Sequence, residues 1–210
     1  MKTWILRMVL LPGLLCAAAA PAGARPGAGA SFDDLMTEAR GRMSRGEIDP
    51  AIQSLTLARE ASPADAAVYA LLGQAYVKQG AEPMALLQFQ KSIELDSTQT
   101  EVRLQWAGLL AKSRRWQEAG RQYQHVLRQD PANDAAAQEL GRLYLKAKQP
   151  EQAAKVLQPY IERHPDDEEL AGGYLAALES AGRWEDLAGA ATHVLAAHPD
   201  WLPAGGIAGV

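Results

Sequence analysis

The stretch YALLGQAYVKQG, Tyr69 to Gly80, has the spacing of an amphipathic helix closed by a glycine. Downstream, ELGRLYLKAK, Glu139 to Lys148, sets the same leucine, small residue and aromatic at the same offsets, with Leu72, Gly73 and Tyr76 answered by Leu140, Gly141 and Tyr144. A chain that repeats itself at a fixed interval is the signature of a stacked array rather than a single closed core. Working outward, the sequence from Phe32 divides into five blocks of 34 residues with no insertion: 32–65, 66–99, 100–133, 134–167 and 168–201.

Each block carries the same physical instructions. Its eighth position holds Ala39, Gly73, Ala107, Gly141 and Leu175, and its twentieth Ala51, Ala85, Ala119, Ala153 and Leu187. Small side chains at both places let two helices approach closely. Larger groups face them at position 24, in Leu55, Phe89, Tyr123 and Leu157, with Ala191 in the fifth block. Apolar residues at positions 4, 7, 8 and 11, then 20, 24, 27 and 28, follow the 3.6-residue period of two helices per block. Gly46, Gly80 and Gly182 at position 15 mark a left-handed turn between them. Pro50, Pro83 and Pro150 sit near the start of the second helix, where a missing N–H costs little. Pro63, Pro131, Pro165 and Pro199 at position 32 stop it. Trp116 and Trp184 open the second helix at position 17, and the expectation is that they pack the turn.

The pattern Tyr69-x2-Leu72-Gly73-x2-Tyr76 followed by Ala85-x3-Phe89 resembles the tetratricopeptide repeat, with Tyr in the place of its Trp. The resemblance implies an all-α fold, a right-handed superhelical solenoid of five helix-turn-helix repeats with a concave groove lined by the first helix of each. It implies a surface for binding protein segments, without catalysis or cofactor. The first block departs, with Glu38, Arg42 and Arg59 at usually apolar positions, and reads as a polar cap. The fifth departs with leucines at both small positions.

The family's groove positions here hold Arg40, Gln74 and Arg142 at position 9 and Lys78, Lys112 and Lys146 at position 13. A line of positive charge on an otherwise acidic chain suggests an acidic segment or a C-terminal carboxylate as ligand. The plainer account of the lysines is that they lie in the last turn of a helix, where a cation complements the dipole. The family's carboxylate clamp for chaperone tails needs Lys and Asn at positions 5, 6 and 9. Met36, Ala70, Leu104 and Gln138 fill position 5, and Asn133 is the sole asparagine, so that clamp is missing.

The first 24 residues, with Lys2 and Arg7 before a short apolar run and Ala22-Gly23-Ala24 at its end, read as a cleavable secretory signal, followed by a linker over 25–31. The run is broken by Pro12-Gly13 and is short for a span. Lipidation at Cys16 is disfavoured by Leu15 before it. Cleavage leaves a mature chain without cysteine, which excludes disulfides and thiolate chemistry. It also leaves 19 basic against 25 acidic residues, a net charge of −6. Nothing there invites nucleic acid or an anionic membrane. An exported, periplasmic protein with a protein client is the expectation.

No phosphate loop, nucleophile elbow or HExxH occurs. His125 and His193 stand at position 26 of their blocks and His164 and His198 at position 31, and equivalent positions of neighbouring repeats are too far apart to share a metal. After Trp201 only the tail 202–210, LPAGGIAGV, remains, too glycine-rich for a capping helix. Leu187, Val194, Leu195, Trp201 and Leu202 are therefore candidates for an exposed interface, including a homodimer through the last repeat.

Overall fold

The computed structural model describes residues 30–197. The leader over 1–24, Cys16, most of the 25–31 linker, His198, Trp201, Leu202 and the tail 202–210 lie outside the described residues.

Ten α-helices occupy that span: α1 Phe32–Ser44, α2 Ile48–Ala61, α3 Ala66–Gln79, α4 Glu82–Leu95, α5 Thr100–Lys112, α6 Trp116–Gln129, α7 Asp134–Lys146, α8 Pro150–Arg163, α9 Glu168–Ser180 and α10 Trp184–Ala197. They pair as helix-turn-helix units, and both odd and even helices recur every 34 residues. Each helix packs on its neighbour in the chain, and α1 also touches α3, α5 touches α7 and α7 touches α9. The odd helices thus line one side of the stack, and the core is a row of clusters bridging successive units.

The small positions explain the close pairing. Ala39, Ala51, Ala85, Ala107, Ala119 and Ala153 have no accessible surface. A Cβ added at Gly73 would come within 2.5 Å of the Phe89 ring, and one at Gly141 would collide with Leu157. In the fifth unit the pattern inverts: Leu175 and Leu187 come from the small positions and Ala191 from the large one, which conserves volume.

The turn after each odd helix is closed the same way in all five units. The amide at position 16 donates to the carbonyl at position 11: Glu47 to Arg42, Ala81 to Tyr76, Arg115 to Leu110, Gln149 to Tyr144 and Arg183 to Leu178. This is the glycine-favouring cap that needs a left-handed residue just before the donor. Gly46, Gly80 and Gly182 supply it at φ 78°, 81° and 68°, as read from sequence. In the third and fourth units Arg114 and Lys148 adopt it at φ 60° and 53°. The backbone bend is therefore a property of the register and not of the residue.

Polar groups at the first end are organised rather than merely exposed. Arg42 bridges Glu38 (2.6 Å), the Pro50 carbonyl (2.9 Å) and the fully buried Ser54 hydroxyl (3.0 Å), fastening α1 to α2. The third unit holds an unexpected charge at its core: Arg103, 6% exposed at an otherwise apolar position, bonds only to neutral acceptors, Gln122 Oε1 and the Ser97 carbonyl. Burial and nearby Arg128 push its pKa down.

Candidate functional site

The side of the stack formed by α1, α3, α5, α7 and α9 presents the candidate groove residues, and the structure sorts them by what they already hold. Gln74 Nε2 on α3 donates to Gln105 Oε1 on α5 at 3.1 Å, and Gln105 Nε2 donates to Glu101 at 3.0 Å. These amides tie neighbouring units across the groove floor. Arg142 on α7 grips Glu169 at the start of α9 through two nitrogens, 3.0 and 3.3 Å, and Glu139 through a third at 2.8 Å. Hydrogen bonding to Glu169, ahead of Glu139, raises its pKa.

The three lysines stand at the turn edge of the groove and two of them reach back to the preceding unit. Lys112 Nζ pairs with Glu82 at 2.6 Å, and that bond holds the Glu82 carboxyl below its ordinary value. Lys78 Nζ lies 3.4 Å from the Met43 carbonyl at the end of α1. Both interactions complete a junction between units, so position 13 stitches the stack as well as carrying charge. Lys146 and Arg40 are exposed and have no ion-pair partner among the described residues. The ladder is thus of mixed sign: Glu101, Glu139 and Glu169 stand among its cations.

The tryptophans correct the sequence expectation. Trp116 and Trp184 do not pack their turns, being 44% and 63% exposed. Ile48, at the same position of the first unit, packs on the core, so the outward placement belongs to the two indoles and not to the position. Beside Trp116 lie Arg114, Arg115 and Arg121, and Pro83, Leu86 and Leu87 of α4 border an adjoining apolar depression with Trp106 and Arg115.

At the far end, Val194 is fully buried and offers no interface, while Leu187 is partly buried against the same cluster. Leu195 is half-buried. The exposed large residue there is Trp184, which sequence reasoning assigned to packing. Gly120 on α6 faces Leu140 and Leu143 of the next odd helix. Ala188 is its counterpart on α10 and is exposed, whereas Trp184 shares its exposure with Trp116 of an interior unit.

Among the described residues no three His, Cys, Asp or Glu side chains gather as a metal site would require. His164 is occupied with Asp134 Oδ2 at 2.6 Å and with the Tyr160 ring. No helix among those residues is long and apolar enough to cross a membrane.

Two family models, both described as tetratricopeptide repeat, match residues 36–100 and 110–178. The chain is a tetratricopeptide repeat protein. Solved structures of similar shape include MamA from Desulfovibrio magneticus RS-1, at 18% identity and a TM-score of 0.65 over 78% of this chain and 93% of that one. YrrB, reported as a TPR protein with an unusual peptide-binding site, matches at 15% identity and TM-score 0.68 over 81% and 88%. The first TPR of Spaghetti (RPAP3), bound to the HSP90 peptide SRMEEVD, matches at 20% and 0.53 over 56% and 93%. At these identities the likeness establishes the fold. No curated protein sequence matches the chain. As a tetratricopeptide repeat protein it is a protein–protein interaction scaffold, of a family that is typically non-catalytic.

Proposed function

We propose that the groove of this scaffold binds an extended segment of a client protein, and that the protein works after export, in the periplasm, during assembly of an envelope complex. Pilus or secretion machinery, polysaccharide export and cytochrome c maturation are the classes of such assembly. The observation that carries the groove reading is the ladder itself: Arg40, Gln74, Lys78, Lys112, Arg142 and Lys146 recur on one side at the repeat interval and offer donors along it. Solved relatives in shape, YrrB and the Spaghetti domain, are described with peptides. The signal-like first 24 residues support export. Because Arg142 is held by two carboxylates and Lys112 by Glu82, the groove favours a ligand of mixed polarity over a purely acidic tail.

A photo-reactive amino acid placed at Gln74 in the native host, beside one at the exposed Lys91 on α4, tests this. Client adducts are expected from Gln74 alone. Equal adducts from both positions would overturn the groove assignment. Release of the mature chain by osmotic shock, with loss of the first 24 residues by mass, tests export.

Self-association through the last repeat is the second reading, favoured by the exposure of Ala188 on α10, whose counterpart Gly120 is covered by the next odd helix. Under it Ala188→Glu converts a sedimenting dimer to monomer, whereas a wild-type monomer at high concentration removes the reading.

A further inference from the structure

Position 24 of each unit normally fills the space between paired helices with an apolar group: Leu55, Phe89 and Leu157 are at most 1% exposed. The third unit places Tyr123 there, only 2% exposed. Its hydroxyl makes no hydrogen bond to another described residue, and it is not sealed from solvent. A phenylalanine, as in the second unit, would fill the same volume without presenting a hydroxyl there.

The location of the hydroxyl supplies a reason. A Cβ built on Gly108 would stand 3.6 Å from Tyr123 Oη, with no other atom nearer than 4 Å apart from the helix itself. Gly108 occupies position 9 of α5, where the neighbouring units carry the groove residues Gln74 and Arg142. With no side chain at that point, the Tyr123 hydroxyl reaches up from α6 to the groove floor through the gap. Burial, with the Glu139 charge adding to it, pushes the phenol up to about 12, so it remains an O–H donor at any physiological pH.

We propose that Tyr123 is a ligand-contacting residue of the groove, its hydroxyl donating to a main-chain carbonyl of an extended peptide that passes over Gly108. The assignment rests on the groove reading above. A carbonyl fits better than a carboxylate because the negative charge of Glu139 is felt at this hydroxyl and disfavours an anion there. Backbone fits better than side chain because the gap is one residue wide, opened by the missing Cβ. Tyr123 thereby adds to the groove a residue from an even helix, anchoring the middle of the ligand while the odd helices set its ends.

The experiment pans a random linear dodecapeptide phage library on the full chain. Fluorescence anisotropy of the selected synthetic peptides then compares wild type, Tyr123→Phe, Gly108→Met and an Arg40→Glu/Gln74→Ala groove variant. Tyr123→Phe keeps the ring in place, and an unchanged or raised melting temperature certifies its fold. Peptides sensitive to the groove variant are expected to lose roughly 5- to 15-fold in affinity on Tyr123→Phe, the usual worth of one hydrogen bond. Gly108→Met, which roofs the hydroxyl, is expected to weaken them at least as much. Groove-sensitive peptides that bind Tyr123→Phe as tightly as wild type overturn the Tyr123 assignment and leave the groove reading standing. A library yielding only peptides indifferent to the groove variant overturns both.

Discussion

Tyr160 donates its hydroxyl to the Asp167 carboxylate at 2.7 Å, and the same carboxylate caps α9 at the Leu170 amide (3.1 Å) and accepts from Gln138 on α7 at 3.1 Å. One side chain thereby holds three helices at the junction of the fourth and fifth units. Asp167→Ala removes the cap and two cross-helix bonds together and is expected to cost about 2–3 kcal/mol, while Tyr160→Phe costs about 1 kcal/mol. Urea denaturation measures both. Hydrogen exchange in α9 and α10 should rise far more than in α1 to α4.

The same junction is expected to be acid-sensitive. Hydrogen bonding from Arg163, with His164 adding to it, holds Asp134 below the ordinary carboxylate value. At Asp167 burial pulls upward, but the bonds from Tyr160, the Leu170 amide and Gln138 outweigh it and the pKa is lowered. A depressed folded pKa contributes stability that is fully present above the unfolded value, about 3.9, and is lost as pH falls through the folded one. Urea midpoints should therefore hold from pH 7 to about 5 and fall below about 4. An Asp134→Asn/Asp167→Asn variant should show a shallower fall from a lower plateau.

Arg114 and Lys148 carry the left-handed backbone that three glycines supply elsewhere. Such a conformation costs an L-residue about 1–2 kcal/mol, offset in part by the greater unfolded freedom of glycine. Arg114→Gly and Lys148→Gly are each expected to raise stability by about 0.5–1 kcal/mol, and Gly80→Ala to lower it by about 1 kcal/mol. Thermal melts of the three variants check the sign.

Three helical glycines separate by what surrounds them. Gly73 and Gly141 abut Phe89 and Leu157, so alanine at either overpacks the helix pair and is expected to cost about 1–3 kcal/mol. Gly189 on α10 has open space around it, and alanine there should stabilise by up to about 1 kcal/mol through helix propensity. Opposite shifts in urea midpoint distinguish the two environments.

How far the sequence could be read depended on whether a feature lay in the period or between periods. The helix pairs were legible because Gly73, Phe89 and their counterparts state a packing requirement every 34 residues. Val194 was equally legible in principle, since its register matches the buried Ala58, Val126 and Tyr160. Arg114 and Lys148 hid the recurring turn because the bend is imposed by the cap bonds and not by residue type. Trp116 and Trp184 misled because large aromatics are usually core, whereas at the start of an even helix the smaller Ile48 packs inward and these two indoles stay exposed. The engagement of Lys78 and Lys112 with the preceding unit depends on lengths and angles between units, which one-dimensional spacing does not contain. Tyr123 did leave a trace: a tyrosine at position 24 in the one unit with glycine at position 9.

Buried polar side chains are unevenly spread along the stack, and three of them, Gln88, Ser92 and Arg103, gather with the half-buried Gln99 where the second unit meets the third. The Gln99 Nε2 donor there finds no acceptor. An elongated object held only by neighbour-to-neighbour contacts yields where one joint is weakest. The α4–α5 joint is not marked as that weak point, because the Gln74–Gln105 and Lys112–Glu82 bonds cross it as well, so a pull along the stack would load polar bonds there together with packed surface.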